Sequence, residues 1–74
     1  MKVYELSAIY DNRKSFYNKA RVIDHENGVI ELQSYNTIVA RIENGIATLN
    51  GIGQYSVTTN RHIREFFRQF NIDF

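Results

Sequence analysis

Histidine is the most versatile ionisable side chain in this sequence, because an imidazole can bind a metal ion or transfer a proton near neutral pH. The chain has two histidines, His25 and His62, and no cysteine. A zinc site needs three or four nitrogen, sulfur or oxygen ligands, and nothing in the spacing brings the two imidazoles together. We therefore predict no metal site, with His25 at the end of a hairpin and His62 in the first turn of a helix.

A serine near a histidine is a second arrangement that catalysis can use. Ser56 lies shortly before His62, but a hydrolytic triad also needs an acidic partner, an oxyanion hole and a cleft. The sequence contains no nucleophile elbow, and Gly51 and Gly53 are not followed by the lysine of a phosphate-binding loop. We expect a protein that is not an enzyme and that has no cofactor.

Basic residues interleaved with aromatic ones occupy residues 13–21. The segment contains Arg13, Lys14, Phe16, Tyr17, Lys19 and Arg21. Phosphates of a nucleic acid can contact such cations while bases stack on the aromatic rings. We favour the competing interpretation, a solvated basic hairpin whose aromatic rings face the core, because the net charge of +1 is nearly neutral.

A second basic strip lies near the C-terminus, where Arg61, Arg64 and Arg68 are spaced to share one side of a helix. Such a face can contact phosphates or acidic partners. It is equally an ordinary solvent-exposed face, softened by an i, i+4 pair between Arg61 and Glu65. The two strips together supply the candidate contact residues for a partner or a nucleic acid: Lys14, Phe16, Tyr17, Lys19, Arg61, Arg64 and Arg68.

Two Asn-Gly pairs, Asn27-Gly28 and Asn44-Gly45, separate alternating apolar segments. Asn-Gly favours a two-residue type I′ turn, because both central residues need a positive φ. The two turns predict these opposing pairs: Glu26 with Val29, Ile23 with Leu32, Glu43 with Ile46, and Ala40 with Leu49. The same registers predict an apolar face formed by Ile23, Ile30, Leu32, Ile38, Ala40, Ile42, Ala47 and Leu49, with His25 on that face near a strand end.

The remaining elements lie on either side of these hairpins. Residues 2–10 alternate as a strand, residues 11–14 form a loop, a second strand starts near Ser15, and residues 54–57 form a short last strand. Ile63, Phe66, Phe67 and Phe70 then follow a helical spacing. Thr58, Thr59 and Asn60 offer N-cap oxygens before that stripe.

These elements predict one α+β domain over residues 1–74, a small antiparallel β-meander of about five strands with one C-terminal amphipathic helix packed on one face. The composition, 43% hydrophobic and 23% charged, is that of a globular protein. The absence of cysteine fits a reducing compartment. No apolar run is long enough for a signal peptide or a membrane span, so we expect a cytoplasmic protein that does not enter a membrane.

Three segments resemble a family of small uncharacterised proteins of Gram-positive bacteria, their phages and mobile elements. They are residues 14–20 (KSFYNKA), 34–40 (SYNTIVA) and 55–66 (YSVTTNRHIREF), similar to the family patterns KSFYxKA, SYxTxVA and SxTTxRHIxEF. Phe67 stands where the family often has an aliphatic residue, which leaves the helical stripe apolar. The resemblance covers residues 14–69 and implies a phage or mobile-element accessory protein, but it implies no catalytic role.

The small size, the ten aromatic residues and the missing catalytic signature favour a non-catalytic interaction module that binds a protein partner or forms a homo-oligomer. The alternative is a nucleic-acid-binding accessory protein that uses the basic residues of the 13–21 hairpin and of the C-terminal helix. A small enzyme is the third hypothesis.

Overall fold

The computed structural model describes residues 1–11, 15–50 and 55–72. Over these residues the chain forms β1 (Lys2–Glu5), β2 (Ala20–Asp24), β3 (Val29–Ser34), β4 (Thr37–Glu43), β5 (Ile46–Leu49) and α1 (Val57–Gln69). The strands lie in one antiparallel sheet in the order β1-β2-β3-β4-β5. Five meandering strands followed by one helix confirm the predicted α+β class.

The Asn44-Gly45 turn has the predicted geometry. Asn44 and Gly45 have φ of 51° and 82°, and both positive values are those of a type I′ turn. Glu43 therefore lies opposite Ile46, and Ala40 lies opposite Leu49. This part of the predicted register is confirmed.

The register predicted at Asn27-Gly28 is wrong by one residue. The backbone nitrogen of His25 donates to the carbonyl of Val29 at 3.0 Å, which leaves a three-residue loop, and Val22 rather than Ile23 lies opposite Leu32. A slip of one residue exchanges the two faces of a strand. The predicted register would have turned Arg21 towards the core together with Ile23, whereas the observed one buries Ala20 and Val22.

The same slip moves His25 off the apolar face. Ile23 lies opposite Glu31, and His25 Nε2 lies 2.6 Å from Glu31 Oε1 on the side of the sheet away from Val22. The imidazole is therefore half-buried beside a carboxylate at the hairpin end. The predicted hairpin position is right, but the predicted face is wrong.

A β-bulge in β4 changes a second predicted position. Leu32 lies opposite Ala40 and Gln33 lies opposite Ile38, so that Val39 is the extra residue. Val39 and Ala40 are consequently both buried, whereas Ile38, predicted on the apolar face, lies opposite Gln33 and is only half-buried.

The predicted ends of the outer elements need correction. β1 ends at Glu5 rather than at residue 10. Residues 12–14 of the predicted loop, and Gln54 of the predicted last strand, lie outside the described residues. Val57 is helical, and the N-cap is Ser56, whose Oγ accepts from the backbone nitrogen of Thr59 at 3.1 Å. A serine at this position satisfies a free amide of the first helical turn.

The helix covers one face of the sheet with its apolar stripe. Ile63, Phe66 and Phe67 are buried in the same core as Leu32 and Ile42, and Phe70 packs against that core. The predicted packing of the amphipathic helix on one face of the sheet is confirmed. At the helix end, Asn71 has φ 60° and Ile72 donates to the Phe67 carbonyl at 2.8 Å, which closes the last turn in a Schellman motif that places Ile72 on the core.

Candidate binding surface

A buried chain of polar side chains joins the helix start to the end of β3. His62 is 1% exposed, and its Nδ1 lies 2.8 Å from Ser34 Oγ. Ser34 Oγ also lies 3.1 Å from Thr59 Oγ1, which in turn accepts from Ser56 Oγ. The serine that meets His62 is therefore Ser34 and not Ser56, because Ser56 caps the helix. This network fixes the position of α1 on the sheet.

A second buried polar group, Glu65, holds the segment that follows β1. Glu65 is 2% exposed, and its Oε1 accepts from the backbone nitrogens of Tyr10 at 2.9 Å and Asp11 at 2.8 Å. Gln69 Nε2 adds a bond to the carbonyl of Ser7 at 2.7 Å. The i, i+4 pair predicted between Arg61 and Glu65 does not form, because Arg61 bonds to Asp11 Oδ1 at 3.3 Å instead.

The segment held by Glu65 forms one wall of a cleft of about 500 Å³. Its lining consists of Tyr10, Asp11, Val57, Asn60, Arg61, Arg64, Glu65 and Arg68. Both lining carboxylates are occupied, Asp11 by Arg61 and Glu65 by backbone amides. Arg64 and Arg68 are exposed and, among the described residues, have no carboxylate within ion-pair distance; the Arg68 guanidinium lies over the Tyr10 ring at 5.3 Å.

Two smaller clefts continue from the first. One of about 180 Å³ is lined by Tyr17, Lys19, Tyr35 and Arg61 among others. The next, of about 210 Å³, shares Lys19 and Tyr35 with it and adds Arg21. Arg61 belongs to both the first and the second cleft, so the three clefts adjoin. We call this band the basic surface, and define it by Tyr10, Tyr17, Lys19, Arg21, Tyr35, Arg61, Arg64 and Arg68.

Two tyrosines of the basic surface stand at tight turns in an unusual backbone conformation. Tyr17 and Tyr35 have φ of 54° and 56°, a left-handed region that residues other than glycine rarely adopt and that costs on the order of 1–3 kcal/mol. The turns are held by Ser15 Oγ, which accepts from the Tyr17 nitrogen at 2.8 Å, and by the Lys19 carbonyl, which accepts from the Tyr35 nitrogen at 2.7 Å. Both side chains line the second cleft together with Lys19.

Elsewhere on the described surface, the cations lie beside carboxylates. The amino terminus and Lys2 contact Glu26, His25 contacts Glu31, and Arg41 contacts Glu43. Near the same edge, burial first and the Asp24 carboxylate second raise the pKa of Tyr4. The net charge of +1 therefore hides an uneven distribution, in which cations without carboxylate partners concentrate on the basic surface.

The predicted contact residues have different positions. Tyr17, Lys19, Arg61, Arg64 and Arg68 lie together on the basic surface. Phe16 is 3% exposed and packs edge-on against His62 with ring centroids 4.7 Å apart, so that it belongs to the core, as the favoured interpretation of the hairpin expects. The same interpretation is wrong for Tyr17, whose side chain is exposed. Lys14 lies outside the described residues.

The predicted contact residues do not include Tyr10, Arg21 or Tyr35 of the basic surface. Tyr35 precedes Asn36 just as Tyr17 precedes Asn18. This repeated Tyr-Asn pair is the sequence signal that marks both turns. Tyr10 had no such signal, because only the contact between Glu65 and its backbone brings it to the helix.

The fold and the surface define a class of protein, a small α+β domain with a basic, tyrosine-bearing face. The chain belongs to a family of unknown function, DUF8033, whose model matches residues 4–73. No curated protein and no solved structure matches the chain. In the described part of the chain, no helix has the length and apolar character needed to cross a membrane.

Proposed function

We propose that this protein is a non-catalytic module that binds nucleic acid through the basic surface. The observation that carries the proposal is the row of cations, Lys19, Arg21, Arg64 and Arg68, that has no carboxylate within ion-pair distance among the described residues, although carboxylates pair with the cations elsewhere. Phosphate contacts by such residues supply most of the affinity in non-specific nucleic-acid binding. Near-neutral net charge does not oppose this function, because the local charge decides the contact.

Fluorescence anisotropy with a labelled oligonucleotide tests the proposal. We expect binding at low salt. The logarithm of the association constant should fall linearly with the logarithm of the salt concentration, with a slope of about 0.7 to 0.9 per phosphate contacted. Arg64→Glu should weaken binding strongly, because the side chain is exposed and lines the cleft of about 500 Å³. Lys2→Glu changes the net charge equally at a residue paired with Glu26, and it should leave affinity nearly unchanged. Equal losses in the two variants, or no binding by the parent protein, would refute the proposal.

The second candidate function is binding of a protein partner or of a second copy of the chain. It is favoured by the sheet edges, since among the described strands β1 and β5 each pair on one side only. Val3, Ile46 and Leu49 are exposed on these two strands, and an open edge strand can accept another strand. Light scattering on the pure protein tests self-association, and Ile46→Lys should lower the measured mass if β5 forms the contact.

The biological setting remains part of the proposal. The similarity of the segments at residues 14–20, 34–40 and 55–66 to small proteins of Gram-positive bacteria and their phages supports an accessory role in a phage or mobile element. A chain without cysteine suits the reducing cytoplasm, where nucleic acid is abundant. Fractionation of cells that produce the protein would test this location.

A further inference from the structure

We infer that the basic surface selects single-stranded nucleic acid, with bases stacked on the rings of Tyr17 and Tyr35. The inference rests on the proposed function and names its substrate class. Tyr17 is 70% exposed and Tyr35 is 49% exposed, and they share a cleft with Lys19 and Arg61. Cations that follow a backbone, together with aromatic faces that receive bases, are the elements of a single-strand site.

The backbone at the two tyrosines supports a functional role for their rings. Both residues adopt the left-handed conformation, for which glycine or asparagine is the ordinary choice. Tyrosine at such a position is explained by what the side chain does there, since conformations of this kind concentrate at binding sites. The hydrogen bond from the Tyr35 nitrogen to the Lys19 carbonyl joins the Tyr35 turn to the last residue of the Tyr17 turn, so the two rings are presented by one connected unit.

The ring of Tyr35 is supported from the core side. It lies 5.9 Å from the imidazole of His62, which Ser34 fixes through Nδ1. Tyr10 differs, because the guanidinium of Arg68 already lies over its ring. We therefore assign base stacking to Tyr17 and Tyr35, and phosphate contact to Arg64 and Arg68.

A duplex does not use these rings. Its bases are stacked on one another, so only unpaired bases offer a free face to an aromatic side chain. The cations also lie along three adjoining clefts rather than on a projecting helix end that would enter a major groove. The clefts therefore fit an unpaired strand better than a duplex.

The test compares three probes of equal length and label: a single strand of thymidines, the same strand with abasic sites, and a duplex. We expect the parent protein to bind the thymidine strand at least about tenfold more tightly than the abasic strand, because each stacked base contributes. Equal affinity for the normal and abasic strands, or tighter binding of the duplex, would overturn the inference while leaving the proposed function intact. Absence of binding to all three would refute both.

Variants locate the stacking. Tyr17→Gly combined with Tyr35→Gly removes both rings and suits the local backbone, so the fold should persist. This variant should bind the thymidine strand only as well as the abasic one, and its salt slope should equal that of the parent protein. A variant with phenylalanine at both positions should retain parental affinity. Asn44→Gly, also at a left-handed position but at another turn, is the matched control and should bind like the parent. Tight binding of a polyglutamate peptide that competes with the thymidine strand would assign the site to an acidic protein instead.

Discussion

Glu65 Oε1 accepts a hydrogen bond from the backbone nitrogen of Tyr10 at 2.9 Å, although the two residues are 55 positions apart in the chain. The same oxygen accepts from Asp11. One buried carboxylate of the helix thereby positions the segment that forms one wall of the cleft of about 500 Å³.

Removal of this carboxylate should cost both stability and binding. In Glu65→Ala, two partly buried amides lose their acceptor, and we expect the free energy of unfolding to fall by about 2–3 kcal/mol. Urea denaturation followed by circular dichroism measures the loss. Glu43→Ala removes an exposed glutamate paired with Arg41 and should cost less than about 1 kcal/mol. Similar losses in the two variants would show that Glu65 does not organise the Tyr10 segment.

The closure of the core by the helix gives a second prediction. Phe66 is fully buried with Leu32 and Ile42, and Phe66→Ala should cost about 3–5 kcal/mol. A domain of this size has about 3–5 kcal/mol of net stability in total, so the variant should be largely unfolded at room temperature. Val57→Ala, on the exposed start of the same helix, should keep a cooperative thermal transition. An unchanged melting curve for Phe66→Ala would contradict the prediction.

The polar network under the helix start gives a third prediction. Ser34→Ala deletes the hydroxyl that bonds to His62 and lies against Thr59, and we expect the free energy of unfolding to fall by about 1–3 kcal/mol because a buried polar atom loses its partner. The matched change at exposed Ser7 should have little effect. A double-mutant cycle of Ser34→Ala with His62→Ala should give a coupling energy of about 0.5–3 kcal/mol, and a coupling near zero would show that the two side chains act independently.

Much of the fold was predictable because its signals are local. Asn44-Gly45 determines a register through the φ values that only a few residues accept, and Ile63, Phe66 and Phe67 determine a buried helical face by spacing alone. The prediction at Asn27-Gly28 failed because the positive φ values fall on Glu26 and Gly28 rather than on Asn27 and Gly28, and Asp24 Oδ1 accepts from the Glu26 backbone nitrogen at 2.8 Å. This three-residue loop shifts the register of β2 against β3 by one residue. In the sequence, only the cost of turning Arg21 towards the core indicates this shift.

The candidate site was predictable only in its parts. The shared helix face of the α1 arginines follows from their spacing in the sequence. The ion-pair partner of Arg61, in contrast, depends on where Asp11 lies in space. Net charge alone does not locate the unpaired cations, because it cannot show that Glu26 and Glu43 lie beside other cations. The adjoining clefts depend on contacts between residues far apart in the chain, such as Tyr35 with Lys19.

The continuity of the basic surface gives the last prediction. If one strand follows all three clefts, Arg21 and Arg64 contact phosphates of the same molecule although they line different clefts. Arg21→Ala and Arg64→Ala should then each lower the magnitude of the log–log salt slope by about 0.7, which corresponds to one phosphate contact with a single strand. The double variant should lower it by about twice that amount. Lys2→Ala, at a residue paired with Glu26, should leave the slope unchanged. A slope that responds to Arg64 but not to Arg21 would restrict the site to the helix cleft, because a phosphate contact changes the salt slope only when the strand reaches it.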